Sequence, residues 1–128
     1  MVILTNNPKI ANLKTSEKID YQEVDYQTIL VIAKRYVVEG KQTLLIHPLS
    51  GSIKPNETIY KTIILTDSEK EEIDLESLIL IESAEAVVEK FLNNQPVPNW
   101  NEKILTDFAW VDYYIMMSTF ERIGLKVS

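Results

Sequence analysis

The chain has 128 residues, one histidine, no cysteine and a formal net charge of −6. That length suits one domain spanning 1–128 with a core of its own, and the missing cysteines exclude disulfides, thiolate metal centres and thiol nucleophiles. A single histidine leaves a zinc site short of ligands, so no metal or cofactor is expected, and an acidic chain without long apolar runs offers no basic face for nucleic acid and no membrane span.

Val2-Ile3-Leu4 reads as a short buried strand. Asn7 before Pro8 is a helix start, with an amide at the N-cap and proline at the first helical position. A short helix over 9–14 would carry Ile10 and Leu13 on one face. Ile19 to Val24 alternates weakly and reads as a second strand. Asp25 is placed to cap a helix whose inner face is Tyr26, Ile29, Leu30, Ala33, Tyr36 and Val37. Gly40 is expected to stop it in the left-handed conformation.

Thr43-Leu44-Leu45-Ile46 is a continuous apolar run, the pattern of a central strand buried on both faces. Tyr60 to Leu65 is the next strand, placed antiparallel at the edge or beside the third. Asp74 would cap a long helix through about residue 93, with Leu75, Leu78, Ile79, Ala84, Val87, Val88, Phe91 and Leu92 as its apolar positions. Asn99 would cap the last helix, Glu102 completing a capping box. Its inner face is expected at Ile104, Leu105, Phe108, Val111, Ile115 and Met116, and Gly124 ends it. Asp107, Asp112 and Glu121 read as its solvated face. The alternation predicts an α/β fold: a single three-layer domain with a small, mostly parallel sheet of about four strands flanked by helices.

The segment His47 to Glu57, between two apolar runs, holds the only histidine and the richest mixture of functional groups. It is longer than a plain connection, and loops of that composition bind things. If the strands at 2–4 and 43–46 were neighbours, Asn6 and Asn7 would meet it at the carboxyl ends of the strands, where such sheets place ligands. Candidate ligand contacts are Asn6, Asn7, His47, Ser50, Gly51, Ser52, Lys54, Asn56, Glu57 and Lys61. Ser50-Gly51-Ser52 with Lys54 could hold a small anion through amides, hydroxyls and an amine. The plainer reading makes these residues turn punctuation. His47 could be a general base assisted by Ser50 or Glu57; the plainer reading has it bonded to loop backbone. Asn6 and Asn7 are most simply a turn and a cap. Trp100 and Trp110 read as packing residues, with Trp100 also suited to a partner surface. Tyr113, Tyr114 and Phe120 exceed one inner face and allow a homodimer.

Five stretches then stand out together: Ile-Leu-Thr-Asn-Asn-Pro at 3–8, His-Pro-Leu-Ser-Gly-Ser-Ile-Lys-Pro-Asn-Glu-Thr at 47–58, Tyr-Lys-Thr-Ile-Ile-Leu at 60–65, Asp-Leu-Glu-Ser-Leu at 74–78 and Pro-Asn-Trp at 98–100. In these the chain resembles the GrdX family, small proteins encoded with the glycine, sarcosine and betaine reductase systems of anaerobic bacteria that ferment amino acids. The resemblance implies a cytoplasmic accessory role near such a reductase; the 47–57 segment would then hold a loop of a reductase subunit or a small anion. It assigns no catalytic residue. A second expectation is a small hydrolase or transferase acting on a phosphorylated or acylated metabolite, with His47 as base.

Overall fold

A computed structural model describes residues 1–51 and 53–128. The elements in chain order are β1 (Val2–Thr5), α1 (Pro8–Ala11), β2 (Lys18–Tyr21), α2 (Tyr26–Val38), β3 (Thr62–Leu65), α3 (Leu75–Asn94) and α4 (Glu102–Ile123). None of these helices is long and apolar enough to cross a membrane.

Among the described residues the sheet has three strands, ordered β2-β1-β3. β1 pairs parallel with β2 and antiparallel with β3, in the register Val2 to Leu65 and Thr5 to Thr62. The sheet is therefore small and mixed, not four-stranded and mostly parallel. The run Thr43–Ile46 is the cause of the difference. It contributes only an antiparallel bridge between Leu44 and Leu65, flanked by Leu45 N–H to Ile64 O and Thr66 N–H to Thr43 O, both 2.9 Å. Leu45 is 38% exposed. This is a fragment on the outer edge of β3, and a central strand would bury both of its faces. The central strand is β1, and β3 separates it from the 43–46 segment.

Strand side chains alternate between the faces, and each face has its own core. Leu4, Ile63 and Leu65 pack with Tyr26, Ile29, Leu30, Ala33 and Val37 of α2 and Ile81, Ala84 and Val88 of α3. Ile3 and Ile64 face the other way, against Ile10 of α1 and Met116 and Phe120 of α4. Each such side chain contributes about 1.5–3 kcal/mol by burial, so two thin cores hold a narrow sheet between helices.

Local signals place most helix ends. Asn7, Asp25 and Asp74 accept N-cap bonds from Lys9, Thr28 and Ser77 backbone N–H groups. Gly124 ends α4 at φ +74°. Two ends differ from expectation. Asn101, not Asn99, caps α4 by accepting from Ile104 N–H. After α2 the left-handed residue is Lys41, at φ 51°. Gly40 is needed there for space: a Cβ would lie 2.5 Å from Gln42 Oε1 and 2.8 Å from Tyr36 O.

The buried stripe of α4 shares Met116 with the expected face but otherwise lies beside it. It runs through Ala109, Met116, Thr119 and Phe120, while Val111 is 41% exposed. Phe120 is fully buried within its own chain, and Tyr114 remains 66% exposed. On α3, Leu75 and Ile79, both expected among its apolar positions, are exposed.

Candidate functional site

Tight turns lie at 47–50 and 54–58. Ser50 N–H bonds His47 O at 2.9 Å, and Glu57 and Thr58 N–H groups bond Lys54 O at 2.9 and 3.3 Å. Ser52 lies outside the described residues. His47 is exposed, and its Nδ1 accepts from Leu49 N–H at 3.1 Å. Among the described hydrogen bonds none joins the His47 side chain to Ser50 or Glu57.

Beyond this point the segment divides. Lys54, Asn56 and Glu57 line a surface groove of about 430 Å³ together with Gln95, Pro98, Trp100 and Phe108. Trp100 Nε1–H donates to Glu57 O at 2.7 Å, and its ring lies 5.8 Å from that of Phe108. The indole thus ties the turn to the entry of α4 and forms the groove's aromatic wall.

Ser50 and Gly51 turn inward. They join Tyr26, Ile53, Thr58, Tyr60, Lys61, Asp112 and Ile115 around a small cavity of about 20 Å³, room for a single water-sized group. Gly51 has φ +116°, where a Cβ would strain the backbone whatever the space. Lys61, the residue before β3, is 4% exposed. Its Nζ donates to Ser50 O at 2.8 Å and lies 5.8 Å from the Tyr26 ring centre. Burial pushes its ammonium down to about 8, against a smaller opposing pull from Asp112.

Asp112 was expected on the solvated face of α4. It instead sits over the end of the sheet, where α4 crosses Thr5 and Thr62. Its Oδ2 accepts from Asn7 Nδ2 at 2.9 Å and from Thr62 Oγ1 at 3.1 Å. Burial nevertheless raises its carboxyl above the ordinary range, the bonds from Asn7 and Thr62 and the charge of Lys61 acting the other way. No ion pair within 4.0 Å joins it to Lys61. Tyr26, at 5% exposure, is raised by burial and then by the Asp112 charge. Asp107 and Glu121 are exposed, as the helix pattern predicts.

Asn6 and Asn7 do not line this cavity but bond to Lys61 and Asp112, which do. Asn6 Nδ2 donates to Val24 O at 2.8 Å and Ile59 O at 2.6 Å, and its Oδ1 accepts from Lys61 N–H at 2.8 Å. Asn7 Nδ2 also donates to Ala109 O at 2.8 Å. Both amides are spent on holding the end of β1 to its neighbours. Asp112 and Tyr26 are the members that the sequence reading missed. The signal was spacing: Asp112 falls three residues after Ala109 and four before Met116, on the buried stripe. Among the described residues no three His, Asp or Glu side chains converge as a metal site would require.

The fold and site together describe a small α/β protein with a mixed sheet, a surface groove beside Trp100 and a buried amine at the end of the sheet. The chain belongs to the GrdX-like protein family, whose model matches residues 2–121. No curated protein and no solved structure matches it.

Proposed function

We propose that this GrdX-like protein is a cytoplasmic, non-enzymatic accessory protein of glycine reductase metabolism that grips a loop of a reductase subunit. The observation that carries this reading is the groove between the 54–57 turn and Trp100. It has a lysine and a glutamate at its rim and an aromatic wall of Trp100 and Phe108. Opposite charges around an aromatic pocket suit a peptide segment, the aromatic supplying contact area and the charges fixing register. The loop's free groups are few, which favours binding over turnover. His47, the only imidazole, lines neither the groove nor the cavity.

The test is capture of purified reductase subunits on immobilised protein. We expect one subunit to be retained by the wild type. Replacing Trp100, Lys54 and Glu57 together by alanine should abolish retention while the circular dichroism spectrum stays unchanged. Undiminished retention by that variant would overturn the assignment of the groove. A small anion is the other ligand class this segment would suit. Thermal stabilisation by phosphate or acetyl phosphate that vanishes in Lys54→Ala, with no subunit retained, would replace the protein partner with that anion.

A further inference from the structure

We propose that Lys61 is a reversible carbonyl-capturing amine, which forms an imine with a small uncharged aldehyde in the cavity beneath Ser50 and Gly51, with Asp112 relaying the protons. The site is separate from the groove and does not rest on the reading given for it.

Four titratable side chains from three parts of the fold converge on this cavity: Tyr26 from α2, Tyr60 and Lys61 from the approach to β3, and Asp112 from α4. The remaining walls include Ile53 and Ile115. A lysine ammonium carries three donors, yet among the described residues Nζ has one acceptor, Ser50 O. A neutral amine fits those surroundings better: it can donate to Ser50 and keep its lone pair. The lowered proton affinity of Lys61 agrees with this, and desolvation of this kind is how buried lysines become nucleophiles.

The chemistry balances without any further reagent. The Nζ lone pair attacks the aldehyde carbon, and the carbonyl π pair moves onto oxygen. Asp112 passes one nitrogen-bound proton to that oxygen, giving a carbinolamine, and then the second, so that oxygen leaves as water and the C=N bond forms. Lys61 and the aldehyde become imine plus water, with no change of oxidation state. Asp112 is held for this task by Asn7 and Thr62, which both bind its Oδ2 and leave Oδ1 without a described partner. The ligand class follows from the cavity. Its volume of about 20 Å³ holds about one water-sized group, so the aldehyde it fits is formaldehyde, the smallest, and the Asp112 carboxylate disfavours an anionic ligand.

The experiment treats the full-length protein with formaldehyde and cyanoborohydride at pH 7 to low conversion and reads methylation of each lysine by peptide mass spectrometry. An amine with a value near 8 has roughly 300 times the neutral fraction of an ordinary lysine at that pH. Allowing for restricted access, we expect Lys61 to react at least about tenfold faster than exposed Lys54 and Lys103. That ratio should shrink as pH rises toward 10 and vanish in denaturant. Methylation of Lys61 at or below the rate of the exposed lysines would overturn the proposal. At pH 10, where Lys61 is neutral with or without the Asp112 charge, Asp112→Asn keeps an acceptor for Asn7 and Thr62 and should slow Lys61 severalfold; an unchanged rate there would remove Asp112 from the step.

Discussion

His47 and Lys61 are the basic residues nearest the two ends of one irregular segment, and their surroundings are opposite. His47 is exposed, and its one described bond stays within its own turn. Lys61 is buried at the end of the sheet, with one carbonyl for its ammonium and an aspartate in the same cavity. The group with the more suggestive side chain is thus spent on loop shape. Lys61, one of several candidate ligand contacts in the sequence, carries the unusual environment. Chemistry at this end of the molecule is decided by burial, and burial is set by which elements cross above β1 and β3.

The largest expected effect belongs to the scaffold of the buried end. Asn6→Ala removes bonds to Val24, Ile59 and Lys61 and leaves their backbone groups wanting. At about 1 kcal/mol per bond, urea unfolding should show a loss of about 3 kcal/mol. Next comes Lys61→Met, with the opposite sign. A value near 8 against an ordinary 10.5 corresponds to a burial penalty of about 3 kcal/mol at neutral pH. Losing the bond to Ser50 returns about 1 kcal/mol of that. The variant should therefore be about 2 kcal/mol more stable at pH 7, as apolar replacements of buried charges often are.

Gly51→Ala tests the lid of the cavity. Space is available, the nearest foreign atom being Ile115 Cγ2 at 3.9 Å. The cost is therefore conformational, about 1–2 kcal/mol for a side chain in that region of φ. The smallest effect is His47→Ala, within about 0.5 kcal/mol, as for exposed positions away from packing. A loss of 2 kcal/mol or more on His47→Ala would break the contrast between the two ends.

The parts of this structure legible in the sequence are those set by a few neighbouring residues. Asn7-Pro8, Asp25, Asp74 and Gly124 mark their helix ends through bonds within one turn, and the apolar spacing from Tyr26 to Val37 gives the α2 core face directly. Thr43–Ile46 was misread because a continuous apolar run does not reveal whether partners exist on both sides. Here only β3 lies beside it, and Leu45 is left to solvent. Asp112 was misread because a helix surface is polar by default. Its burial depends on α4 crossing Thr5 and Thr62, a long-range fact that shows in sequence only as a carboxylate between Ala109 and Met116. Lys61 is legible as a candidate ligand contact, but its burial and its single carbonyl acceptor depend on the long-range packing of Ser50 and α4.

The most direct test is unfolding free energy against pH for the wild type and Lys61→Met. The folded state holds the Lys61 proton less tightly than the unfolded chain does. Between about 8 and 10.5 the unfolded state therefore binds more protons, and wild-type stability must rise with pH through that window relative to the variant. The expected result is a gap of about 2 kcal/mol in favour of Lys61→Met at pH 7 that narrows or reverses by pH 10.5. Parallel curves, with a constant gap across that range, would show that Lys61 titrates like an exposed lysine and would contradict the account of a buried, poorly partnered amine.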